Sequence, residues 1–122
     1  MKITKIAYTI LILLSLIVLF NSLTIGHITN KLKNEIESID YSNIDTALLK
    51  YKKSFEKFEK AEKYISLTVS HDDLTNIEES YAELIGAAKA KDEDEILKAK
   101  SRLTDALAHL GRLSGINIDS IL

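Results

Sequence analysis

This chain of 122 residues contains no cysteine and no proline, and only four glycines. Without cysteine there are no disulfides, no thiolate zinc sites, no cysteine nucleophile and no acylated lipoprotein start. Without proline, and with so little glycine, the chain lacks the turn chemistry that sandwiches, barrels and long loops require. An all-α fold is favoured before any periodicity is counted. An excess of basic charge is missing too: 16 Lys and Arg stand against 18 Asp and Glu. A nucleic-acid binder needs clustered cations to displace phosphate counterions, so nucleic acid is not an expected partner. Also missing are a glycine-rich phosphate loop, a nucleophile elbow, a His-Glu-x-x-His pair and paired His-Asp motifs of the metal phosphohydrolase kind.

What is present divides unequally. Met1 to Gly26 holds two charged side chains, Lys2 and Lys5, so all 18 acidic residues and 14 of the 16 basic ones lie downstream, leaving that part at −4. Within the first part, "IAYTILILLSLIVLFNSLTI" (Ile6–Ile25) runs twenty residues without a charge. As a helix at about 1.5 Å per residue it reaches roughly 30 Å, the thickness of a bilayer's hydrocarbon core. Asn21, Ser22 and Thr24 belong at an interface. No Ala-x-Ala cleavage pattern follows, so an uncleaved signal anchor is expected over a cleaved signal peptide or a buried core helix. The short leader, residues 1–5, is easiest to leave in the cytoplasm, which puts the body, residues 27–122, outside the cell membrane.

From His27 onward the apolar residues fall at helical spacing. Ile28, Leu32, Ile36 and Ile39 mark a stalk helix that can continue the membrane helix through Gly26. Ser42, three residues before Asp45, marks a capping-box-like start for a second helix striped by Ile44, Leu48, Tyr51, Phe55, Phe58, Ile65 and Val69. Its solvated face offers Glu56–Lys60 and Glu59–Lys63 as i,i+4 pairs. A third helix carries Leu74, Ile77, Tyr81, Leu84, Ile85 and Ala88, and a fourth, capped by Asp92, carries Ile96, Ala99, Leu103, Ala106, Leu107 and Leu110. Gly111 or Gly115 is expected to end it, and the tail "INIDSIL" to dock on the body. The aromatic residues Tyr51, Phe55, Phe58, Tyr64 and Tyr81 read as core, not as a cofactor box.

Short breaks between helices predict an antiparallel bundle of three to four helices after the transmembrane helix. A stalk of about 20 Å is shorter than a second helix of about 40 Å running from Asn43 to Val69. Strict antiparallel packing would therefore push Lys63 into lipid, where lysine is costly, so the chain is expected to bend near Gly26 and His27, or the second helix to break after Ala61.

One stretch carries chemistry-bearing residues: "SHDD", Ser70–Asp73. It reads first as a helix start, with Ser70 capping and Asp72 and Asp73 in the first turn, facing the positive end of the dipole. Three consecutive residues do not make a metal cage, because helical neighbours point about 100° apart. A hairpin of the third and fourth helices brings His109 to the same bundle end, so His71, Asp72, Asp73 and His109 are the candidates for a divalent metal or ligand site.

The sequences "SLTVSHDDLTNIEESYAEL" and "LTDALAHLGRLSGINIDSIL" resemble a family of small bacterial proteins, domain of unknown function 4363. The matching positions are His71, Asn76, Ile77, Ser80, His109, Asn117 and Ile121; the chain departs from the family in having Ile65 where a tryptophan is usual and Gly111 where a proline is frequent. The resemblance implies an N-terminal membrane segment and a helical body, and no established activity.

Together these readings predict a single-pass, membrane-anchored helical module that binds another membrane or envelope protein, or scaffolds at the envelope. Self-association is left open, and neither catalytic residues nor a cofactor is expected. The competing reading is an extracytoplasmic ligand or metal sensor built at the His71 and His109 end.

Overall fold

A computed structural model describes the backbone of residues 2–121 and the side chains of residues 2–112. It consists of four helices, α1 (Lys2–Ser38), α2 (Ile44–Ile65), α3 (His71–Lys89) and α4 (Glu93–Ile121), with no strand among the described residues. Each helix packs on two neighbours: α1 on α2 and α4, and α3 on α2 and α4. The diagonal pairs stay apart, as in a four-helix bundle.

Specific contacts fix the directions. Asn21 Nδ2 donates to Thr68 Oγ1 at 2.9 Å, and Lys57 Nζ donates to both Glu35 oxygens at 3.1 Å. Residue numbers that fall on α1 as they rise on α2 make that pair antiparallel. The Lys100 ammonium reaches the Glu37 carbonyl at 3.3 Å, and Thr29 lies against Gly111, so α4 is antiparallel to α1 as well. One end of the bundle therefore holds the α2–α3 turn and Leu110. The other holds the α1–α2 and α3–α4 connections, where Lys91 lies 3.9 Å from Asp45 and Lys100 sits over the Tyr41 ring at 5.5 Å.

The helices are interrupted neither at Gly26 nor after Ala61. α1 runs from Lys2 through Gly26 to Ser38 as one helix, and α2 remains helical to Ile65. The length conflict dissolves because packing starts earlier on α1 than the stalk predicted: Ser22 and Ile25, the last turn of the uncharged run, are already buried against the body. From Asn21 to Ser38 α1 spans about 27 Å, close to the roughly 33 Å of α2, and Lys63 stays exposed. Val69 leaves the α2 stripe for the turn, and its amide still reaches the Ile65 carbonyl at 3.1 Å.

The helix starts are partly as expected. Ser70 Oγ accepts from the Asp73 amide and donates to Asp73 Oδ2, and Asp92 Oδ1 accepts from the Glu95 amide. At α2 the cap is Asn43, whose side chain accepts from the Thr46 amide. Ser42 is diverted, its amide and hydroxyl both donating to Asp40, which holds that carboxyl below its usual range. α3 closes with Lys91 in the left-handed region (φ 56°), the Lys91 and Asp92 amides capping the Ala88 and Ala87 carbonyls.

The fourth helix overrides both glycines predicted to stop it and continues to Ile121. An interior glycine costs about 1 kcal/mol in a helix, which tertiary packing can offset. A Cβ at Gly111 would meet Thr29 Oγ1 at 3.1 Å, so the glycine lets α4 approach α1 closely. The expected docking of Ile116, Ile118, Ile121 and Leu122 lies outside the described side chains.

The core holds the predicted α4 stripe, the predicted α3 stripe except Ile85, which is half-buried against it, Ile25, Leu32, Ile36 and Ile39 from α1, and Ala47, Tyr51, Phe58 and Ile65 from α2. α2 is rotated slightly from its predicted face: Ala47 and Ser54 are fully buried, while Leu48 and Phe55 are half-buried. Buried hydroxyls find local partners. Ser54 and Tyr81 hydrogen bond at 2.8 Å, Ser80 donates to the Asn76 carbonyl and Thr29 to the Gly26 carbonyl. The predicted Glu56–Lys60 and Glu59–Lys63 pairs are not closed among the described residues; Lys57 instead bridges helices to Glu35.

Tyr51 is the exception to this satisfaction. Its hydroxyl is buried with no hydrogen-bond partner among the described residues. A buried unsatisfied polar group costs about 1–3 kcal/mol. Tyr51→Phe is therefore expected to raise the melting temperature by a few degrees, whereas Tyr81→Phe, which strands Ser54, is expected to lower it; thermal melts of the two variants side by side check this.

Candidate functional site

Residues at the end shared by the α2–α3 turn and Leu110 include all four site candidates. Capping places Asp73 in the first turn of α3, half-buried and bonded to Ser70, while His71 and Asp72 remain exposed. His109 is exposed on α4, where it lines a shallow open groove with Asn76, Arg102, Asp105 and Arg112. Arg102 anchors that groove: it contacts Glu83, donates to Asn76 Oδ1 at 3.2 Å and lies 3.8 Å from Glu79. The antiparallel hairpin thus brings His71 and His109 to one end, as expected. Asp73, however, faces a different depression from His109, and no three His, Asp or Glu side chains gather to hold a metal among the described residues.

That second depression is more deeply formed. It is a cleft of about 700 Å³ between α1 and the α2–α3 turn. Ile17, Phe20 and Ile25 of α1, Tyr64 and Val69 of the turn region, and Leu110 of α4 supply its apolar walls. Asn21, Thr68, Ser70 and Asp73 form a polar lip, tied across by the Asn21–Thr68 hydrogen bond. Asn21 and Ser22 fit an interface by sequence alone, but the cleft they line depends on the fold. A hint was available in "SLTVS", a turn that carries leucine and valine where polar residues are usual.

A third feature is the pairing of Glu62 on α2 with Glu78 on α3. A hydrogen bond between the two carboxyls, reinforced by partial burial and by the charges of Glu78 and Glu59, pushes Glu62 up from its ordinary 4.5 to about 7. The unfolded chain releases this proton near pH 4.5 and the folded chain holds it to about 7. Its stabilisation is thus complete in acid and is lost as the pH rises through that window. After discounting for solvent screening, the effect is about 1 kcal/mol. Full-length protein in detergent is expected to melt several degrees lower at pH 8 than at pH 5.5, and Glu62→Gln to remove most of that difference. Equal pH dependence in the variant and the parent would contradict the shared proton.

A family model described as "Domain of unknown function (DUF4363)" matches residues 19–121. The chain belongs to the DUF4363 family. The matched region begins two residues before Asn21, which hydrogen bonds the α2–α3 turn, so the family domain spans the packed bundle and includes the cleft's α1 wall from Phe20 onward. Within this DUF4363 domain, Asn76 engages Arg102, Ile77 and Ser80 are buried in the core, and His71 and His109 face outward. Compared with the curated proteins and with the solved structures, the chain matches none.

Proposed function

We infer that this protein is a non-enzymatic, single-pass membrane protein whose helical body docks a second membrane or envelope protein. The observation that carries the reading is the state of α1. An 18-residue window of it has a mean hydropathy of 2.4, and none of that window is buried in the fold. Leu13, Leu14, Leu16 and Ile17 are each more than half exposed. A core helix would hide these side chains, and water would penalise each by about 1.5–3 kcal/mol, so a bilayer is the solvent that accounts for them. The body beside it is a packed bundle whose α3–α4 face is open and shallow, with Leu97, exposed at 56%, lining the same groove as Arg102. An exposed apolar residue and an arginine sharing one shallow groove suit protein contact better than enclosure of a small substrate.

The test is site-specific crosslinking of the full chain in its native membranes, with a photoreactive residue at Leu97. One defined adduct is expected, lost in Arg102→Glu and kept in His71→Ala. Labelling that is equal at Leu97 and at Leu49, exposed at 63% on α2, would contradict a docking face on α3–α4.

A further inference from the structure

The cleft between α1 and the α2–α3 turn has a wall that it shares with the exposed face of α1. Ile17 and Phe20 line the cleft and are also 63% and 69% exposed along the apolar helix surface, so the cleft opens sideways onto whatever solvates α1. At the tip of the turn Leu67, another lining residue, is 78% exposed. The lip is polar, and its one charged residue among those described is Asp73. An apolar slot that opens onto an apolar helix face beneath a polar rim matches the layering of a bilayer boundary, with chain below and headgroup above. Its volume falls within the range of ordinary ligand sites.

We propose that this cleft seats one acyl chain of a bilayer phospholipid, with the Ser66–Ser70 turn lying in the headgroup layer. The assignment rests on the membrane reading of α1 and goes beyond it. A helix that merely crosses the bilayer is surrounded by exchanging chains, whereas this geometry sets a single chain between α1 and α2 and makes the α2–α3 turn part of the membrane-facing surface. Asp73 on the lip disfavours an anionic headgroup, so the natural occupant is zwitterionic.

The chain contains no tryptophan, so one introduced indole is the only such reporter. Full-length Tyr64→Trp and Leu14→Trp are reconstituted separately into phosphatidylcholine vesicles with increasing fractions of lipid brominated at mid-chain. Quenching at Tyr64→Trp is expected to rise in direct proportion to the brominated fraction, as one chain seat requires. Leu14→Trp, facing several chains at once, is expected to saturate early. No quenching at Tyr64→Trp, or an early-saturating curve like that of Leu14→Trp, overturns the seat while the anchor stands. No quenching at Leu14→Trp brings down the membrane reading itself. If Tyr64→Trp melts early, Leu67→Trp on the exposed tip replaces it. Bromine close to the headgroup is then expected to quench more than bromine at mid-chain, and free access of aqueous iodide with no bromolipid quenching overturns the proposal.

Discussion

Phe58→Ala is expected to remove about 3–5 kcal/mol of folding stability, a large share of the 5–15 kcal/mol that holds most domains together. Phe58 is fully buried in the centre of the bundle, and its ring stacks on Tyr81 at 5.7 Å with 29° between the planes. Phe55 leans on the same tyrosine at 5.3 Å. Truncation leaves a void that Tyr81 cannot fill, because its hydroxyl is held by Ser54. The whole α2–α3 interface should therefore loosen, not one contact alone. Denaturant titration of the full chain in mild detergent, followed by circular dichroism, measures the loss. Leu49→Ala, at a leucine 63% exposed on the same helix, should stay within about 0.5 kcal/mol of the parent. A Phe58→Ala loss no larger than that of Leu49→Ala would mean that α2 does not pack as described.

The second large effect concerns location. Leu13→Arg combined with Leu14→Arg places two guanidinium groups in the middle of the apolar half of α1, where the parent side chains are 53% and 55% exposed and lie outside the core formed by the described residues. Each arginine at a helix centre costs about 2.5–3.5 kcal/mol on the insertion scale. The double variant should leave the carbonate-resistant membrane fraction, whereas Leu49→Arg combined with Leu97→Arg, at two exposed leucines of the body, should remain in it. Equal membrane retention of both double variants would sink the anchor. The intact mass of the extracted parent separates the remaining alternative, since a chain starting at His27 would identify the apolar run as a removed leader.

Much of the bundle could be read directly from the residues, for a physical reason. Stripes such as Leu74-Ile77-Tyr81-Leu84 and Ile96-Ala99-Leu103-Leu107 are governed by the helical period alone, and the Ser70 and Asp92 caps by chemistry within three residues. Where competition or tertiary contact decides, the reading slipped. Ser42 reads as the α2 cap from the sequence, but its amide and hydroxyl both donate to Asp40 and the neighbouring Asn43 caps instead. Ser54 stands outside the apolar α2 stripe because its polarity is visible in the sequence and its Tyr81 partner, on another helix, is not. Gly111 looked like a stop because the approach of Thr29, which makes use of its missing side chain, lies 82 positions away. The candidate site shows the same division. That His71 and His109 share an end follows from connectivity, but which side chains face one another is set by helix rotation. The cleft required knowing that the α2–α3 turn lands on Asn21.

The continuity of α1 through Gly26 has a mechanical consequence. Membrane proteins with a soluble domain on a flexible tether sweep a volume, and their effective concentration near a partner falls as the tether lengthens. Here no tether exists between the apolar half of α1 and the half that supplies Ile25, Leu32 and Ile36 to the core. If α1 is the anchor inferred above, the body is a fixed post whose top stands about 27 Å above Asn21. Any tilt or rotation of the apolar half is delivered to the core without loss, and a partner of the α3–α4 face must itself lie within that shallow layer over the bilayer.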